Sequence, residues 1–175
     1  MLIIIPIIVV ALRLGIHMYR RKQDRNRAVF TEELTAWFLF AFVGLMGLLS
    51  FAGHAFAAGQ TAGSIGFPAG NPFQFEVAVA NLAFGVLGLL CLRYRGLFWW
   101  ATGIGYAVFL WGAAWGHIDQ IIVNNNHASG NAGFVLYAGI ITPLVVFGLI
   151  IASDRVQKMK EPATKSEEPW LKRAA

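Results

Sequence analysis

An all-α bundle of membrane-spanning helices is the fold class this sequence predicts, and three observations predict it. Five apolar stretches of about span length alternate with polar joints. Of the 175 residues, 57% are hydrophobic and only 13% are charged, with a mean hydropathy of +0.60, far from the charged surface that a water-soluble domain of this size requires. The joints fall into a basic set and a set with no lysine or arginine, and the two sets alternate strictly. Basic joints stay cytoplasmic, so the pattern predicts five transmembrane helices with the N-terminus outside and the C-terminus in the cytoplasm. At ~20 residues per span, five helices leave room for short joints and no separate soluble domain.

The first span covers residues 1–19 and runs into Tyr19-Arg20-Arg21-Lys22. A cleaved signal peptide carries its positive charge before the apolar core; here it comes after, which predicts an uncleaved helix. Arg13 lies near the inner end, where its side chain can snorkel to the headgroups, and His17 reads as an interfacial histidine. Residues 20–33 form a basic cytoplasmic loop. In it, Thr31-Glu32-Glu33 has the hydroxyl and acids of a helix start.

A four-helix core then occupies residues 34–152, with spans at about 34–56, 73–92, 98–122 and 132–152. Trp37 and the Phe98-Trp99-Trp100 run read as interfacial anchors. Gly85 and Gly88 on the third span, and Gly112 and Gly116 on the fourth, read as helix contacts. The outer joints are a Gly/Ala/Pro-rich loop from Gly59 to Pro72 and the run Asn124 to Asn131. Residues 153–175, charged and containing Pro162 and Pro169, read as a disordered cytoplasmic tail.

The basic residues test this topology. Five lie at 20–27, two at Arg93 and Arg95, six in the tail, and Arg13 completes the 14. The net charge of +5 therefore reflects helix ends facing anionic lipid rather than a nucleic-acid surface. The bilayer of the inner or plasma membrane is the expected partner, with a membrane-protein partner or a second copy as further candidates. The single cysteine, Cys91, excludes an internal disulfide framework and reads as a packing residue.

Spans two and four both end in Gly-His, Gly53-His54 and Gly116-His117, and both following loops close in Gly-Asn, Gly70-Asn71 and Gly130-Asn131. The pairs recur 63 and 60 residues apart, which suggests two hairpins of the same direction. On this topology His54, Glu76, His117 and Asp119 gather toward the outer face, with Gln74, Asn81, Gln120, Asn124 and Asn131 near the same level or deeper. Ionisable groups there are costly, so they pair, line a wet cavity or do chemistry. Gly44, Gly47, Phe51 and His54 share one side of span two, as Ala113, His117, Gln120 and Asn124 do on span four.

The candidate binding residues are His54, Gln74, Glu76, Asn81, His117 and Asn131. His54, Glu76 and His117, with Asp119 or His127, are ligand types suited to zinc, copper or non-haem iron, although no compact metal-binding spacing joins them. Glu76 is the candidate to fix an imidazole tautomer or bind a cation. A haem between two histidines is disfavoured because no outer lysine or arginine would balance its propionates. A third reading is an uncharged, hydrogen-bonding pocket for a lipid, quinone or small solute, with Phe67, Phe73 and Trp115 in its lining.

Against these stands a purely structural role in capping helices and turning loops. Two alternatives place the function elsewhere: an accessory subunit docking through its uncharged outer loops, or a small-solute transporter. The apolar inner halves of the spans argue against a through-channel. No residue pattern assigns a reaction.

The stretch Ile65-Gly66-Phe67-Pro68-Ala69-Gly70-Asn71-Pro72-Phe73-Gln74-Phe75-Glu76, with Gly53-His54, Ala80-Asn81-Leu82, Gly116-His117 and Gly130-Asn131, resembles a group of small prokaryotic integral membrane proteins known only as a domain of unknown function. The resemblance covers about residues 35–150. The family pattern has Trp and Ser where this chain has Phe67 and Asn71, which keeps an aromatic and a small polar group. It implies a multi-pass fold and carries no assigned activity.

Overall fold

The computed structural model describes residues 4–20 and 26–159, and everything described is helix, turn or loop, with no strand. Six helices follow one another among these residues: α1 (Ile4–Arg20), α2 (Arg27–Phe56), α3 (Ala58–Ile65), α4 (Phe73–Leu90), α5 (Leu97–Asn124) and α6 (Phe134–Lys158). Four of them, α2, α4, α5 and α6, are long and apolar enough to cross a membrane. α1 runs 17 residues, about 26 Å at 1.5 Å per residue, against a hydrocarbon core of about 30 Å. The segment expected to be disordered begins as helix, since α6 continues to Lys158. The rest of that expectation, residues 160–175, lies outside the described residues.

α2 begins earlier than its sequence suggests. Asn26, not Thr31, is the N-cap: its side-chain oxygen accepts from the Ala28 amide at 3.0 Å, while the Thr31 hydroxyl donates back to the Arg27 and Ala28 carbonyls. An asparagine with extended backbone satisfies an orphan amide better than a threonine already inside the first turns. Midway, Leu39–Leu45 winds as a π-helix. Tyr106 of α5, buried, donates to the Phe42 carbonyl within this widened segment at 3.2 Å.

The closest helix crossing is α2 on α4. Gly44 and Gly47 face Gly85 and Gly88 so tightly that a Cβ on Gly88 would stand 2.2 Å from the Gly44 nitrogen, and one on Gly47 would stand 2.7 Å from the Gly85 nitrogen. Backbone touches backbone here, which only glycine allows. Gly112 and Gly116 behave otherwise. Both are exposed with nothing within 4 Å of an added Cβ, so neither is a helix contact within this chain. The helix partner of α5 is α6, which it meets on another face: Gly103 packs against Val146 and Ile150.

The buried core joins Ala36, Leu39 and Val43 of α2 to Cys91, to Trp99 and Tyr106 of α5, and to Val146 and Ile150 of α6. Trp99 is therefore a core residue rather than a surface anchor. It is 1% exposed, and its indole donates to the Cys91 carbonyl at 2.9 Å. Cys91 is fully buried, in keeping with a packing role. The neighbouring Trp100 donates to Asp154 at 2.8 Å, and Thr35 donates to the Leu149 carbonyl at 3.1 Å, so polar bonds tie α5 and α2 to the end of α6.

At the same end Arg95 bridges Glu32 and Glu33, the latter at 3.3 Å. Partial burial works against the Arg95 charge, but its hydrogen bonds and Coulomb attraction to the two carboxylates outweigh this and hold its pKa above the usual guanidinium range. Arg13 of α1 lies 5.0 Å from the Trp37 ring centroid and 4.0 Å from Glu33, so α1 is joined to α2 by a cation–π contact and an ion pair. The outward faces of the bundle are apolar, with Val79, Val108, Ile141 and Leu144 all well exposed. An apolar surface this continuous belongs against lipid or another protein.

Candidate functional site

At the end without lysine or arginine, α2 stops at Phe56 and the chain turns directly into α3, where the sequence suggests an irregular loop. The Thr61 hydroxyl donates to the Gly53 carbonyl at 2.8 Å, folding α3 back over the end of α2. Gly66 ends α3 in the left-handed region (φ 76°), where a side chain would be strained. Gln74 then reaches back to the Ala58 carbonyl at 2.8 Å, and the Asn71 side chain accepts from the Phe73 amide at 3.0 Å to open α4.

The second joint closes onto the first. α5 is capped by Asn125, the one non-glycine residue with positive φ among those described. The Asn126 amide group donates to the Ile65 carbonyl at 2.9 Å and its oxygen accepts from the Ala128 nitrogen at 3.1 Å. The Gly130 amide donates to the Ser64 carbonyl at 2.9 Å, and a Cβ there would stand 2.7 Å from that oxygen. Two loops that the sequence leaves as separate joints thus form one latched cap. Asn126, which the spacing of the polar residues does not single out, is the main cross-link.

Beneath the cap, Asn131 is fully buried. Its amide nitrogen donates to the Asn126 carbonyl at 2.8 Å and to the His117 carbonyl at 3.2 Å. Its oxygen stands 2.7 Å from His117 Nδ1. His117 itself is half-buried, with the Phe67 ring 6.3 Å away, centroid to centroid. One face of the imidazole environment is therefore rigid and polar, while the ring still reaches the surface.

The other candidate residues are placed as follows. His54 is half-buried in the last turn of α2, and its Nδ1 is buried with no hydrogen-bond partner. Glu76 is exposed in the first turn of α4. Asn81 is 8% exposed and donates to the Val77 carbonyl at 2.9 Å; its own carbonyl lies at the glycine crossing, 2.8 Å from where a Gly47 Cβ would be. Asp119 is exposed, and His127 is exposed and paired with Asn125 at 3.0 Å. Of the six candidates, the structure joins His117 to Asn131; no hydrogen bond or ring contact links His54, Glu76 and His117 to one another among the described residues. No group of three His, Cys, Asp or Glu residues among them stands together as a ready metal cage.

The two Gly-His and Gly-Asn pairs also do different work. Asn71 caps a helix and Gly70 faces open space, whereas Asn131 is buried and Gly130 is pressed against Ser64. Similar words in the sequence sit in dissimilar contacts.

Residues 1–159 match the model of a family described as one of unknown function, so the likeness extends through the first helix, beyond the 35–150 expected. No curated protein and no solved structure matches the chain.

Proposed function

The chain belongs to that family, DUF6790, and because the family carries no activity we propose from its own residues that it is a small multi-pass protein of the inner or plasma membrane that binds an uncharged small molecule at its outer rim. The observation that carries this reading is His117: its ring is anchored by a fully buried asparagine, yet remains half-exposed beside an aromatic ring. Orienting an imidazole this firmly at a surface is what a binding site needs and what a loop cap alone does not. The absence of lysine and arginine at this end supports an uncharged ligand.

A metal ion held by His54, Glu76 and His117 is the second reading, supported by the buried, unpartnered Nδ1 of His54. One purification in mild detergent tests both: elemental analysis, a visible spectrum and mass spectrometry of extracted small molecules. A stoichiometric organic ligand lost in His117→Ala is the expected result. A stoichiometric metal lost in His54→Ala or Glu76→Gln would favour the second reading. A folded protein that carries neither would leave the accessory-subunit role, tested by a co-purifying partner.

The orientation belongs to the same proposal: five spans, N-terminus outside, C-terminus cytoplasmic, supported by the distribution of all 14 basic residues. In a Cys91→Ser background, a cysteine at Ser129 should react with an impermeant maleimide on intact cells. One at Lys158 should react only after permeabilisation. The opposite pattern would invert the topology.

A further inference from the structure

The bonds of Asn131 decide which nitrogen of His117 carries a hydrogen. Its amide nitrogen faces two backbone carbonyls, at 2.8 and 3.2 Å, and carbonyls only accept. Reversing the amide would set its oxygen against both carbonyl oxygens, an acceptor facing two acceptors within a fully buried side chain. The oxygen must therefore face His117 Nδ1, and across that 2.7 Å contact Nδ1 must be the donor. In the neutral imidazole the lone pair then resides on Nε2. That nitrogen has no hydrogen bond among the described residues, and it is not among their buried, unpartnered atoms, so it is open to a ligand.

We propose, building on the outer-rim site above, that Asn131 holds His117 as the Nδ1–H tautomer and that Nε2 accepts a hydrogen bond from the hydroxyl of an uncharged phenol or hydroquinone ring packed beside Phe67. Three features select this class. A lone pair needs a donor, which excludes ketones, ethers and quinone carbonyls as direct partners. With no lysine or arginine in either joint, and with Glu76 and Asp119 at the same end, an anionic group would lack compensation. Phe67, 39% exposed and 6.3 Å from the imidazole, offers a flat apolar surface to a ring. The site therefore favours the reduced, hydroxyl-bearing form of a quinoid ring over its oxidised form.

The test uses the full chain in nanodiscs with 15N-labelled histidine. Long-range proton–nitrogen spectra should show His117 with a hydrogen on Nδ1 and none on Nε2. Phenol should then shift the His117 signals at concentrations at least about tenfold below those needed for anisole, its methyl ether. His117→Ala should abolish the difference between the two in ligand-detected binding. A hydrogen on Nε2, or equal responses to phenol and anisole, or no response to either, overturns the inference. The outer-rim reading is judged separately by whether a purified ligand is lost in His117→Ala, so the two can fail independently.

Discussion

Gly88→Ala should destabilise the folded chain by about 3 kcal/mol, at the upper end of what overpacking usually costs. The added methyl would sit 2.2 Å from the Gly44 nitrogen and 2.5 Å from its Cα, and backbone atoms of a helix cannot rotate away as a side chain can. The two helices would have to separate, releasing the contacts of Gly47 with Gly85 and Asn81 along the same crossing. Gly112→Ala is the internal control. It has the same chemistry at a helical site with open space, so it should be neutral or stabilising, by up to about 1 kcal/mol. Thermal or denaturant unfolding in one detergent compares the pair. Equal stability of the two variants would mean that α2 and α4 do not approach as closely as described.

Asn131→Leu should be the second severe change, at about 3 kcal/mol. Leucine keeps the branched shape of asparagine, though bulkier, but removes the Asn131 donor from the Asn126 and His117 carbonyls and leaves His117 Nδ1 without its acceptor. An orphaned buried group costs about 1–3 kcal/mol, and water reaching part of the cap offsets some of the sum. A double-mutant cycle with His117→Ala isolates the side-chain bond from the two backbone bonds, and a coupling of about 1 kcal/mol or more is expected. Additive effects would show that the imidazole is not anchored by Asn131, removing the basis of the binding proposal.

Much of the helical plan was legible. The alternation of apolar stretches and joints anticipated the end of α2 at Phe56 and the start of α4 at Phe73, because apolar length and turn residues are local signals. The glycine contacts of α4 were legible for the same reason, since small residues at helical spacing mark a close face. A similar helical pair on α5 misled, because nothing lies within 4 Å of a Cβ added at Gly112 or Gly116. In an apolar chain, hydropathy cannot separate a face that meets lipid from one that meets protein, which is also why Trp99 passed for an anchor when it is core. α3 was missed because its run of Ala, Gly, Gln, Thr and Ser has no apolar period; the Thr61 bond to Gly53 and the Asn126 bond to Ile65 bind its two ends.

The candidate site divides the same way. The polar residues could be placed at one end of the bundle because charge and hydropathy are read along the chain. Their pairing could not. Glu76 was the natural partner for an imidazole by charge, yet the residue on His117 is Asn131, brought there by a turn 14 positions on. By itself the sequence determined an all-helical chain with helices apolar enough to cross a membrane, although it counts five such spans where four helices reach that length, and the end at which the polar groups collect, because these depend on composition and local period. Only the tertiary structure decided which glycines touch, which histidine is anchored and how the two loops close on each other, because those depend on bonds between residues that the chain keeps far apart.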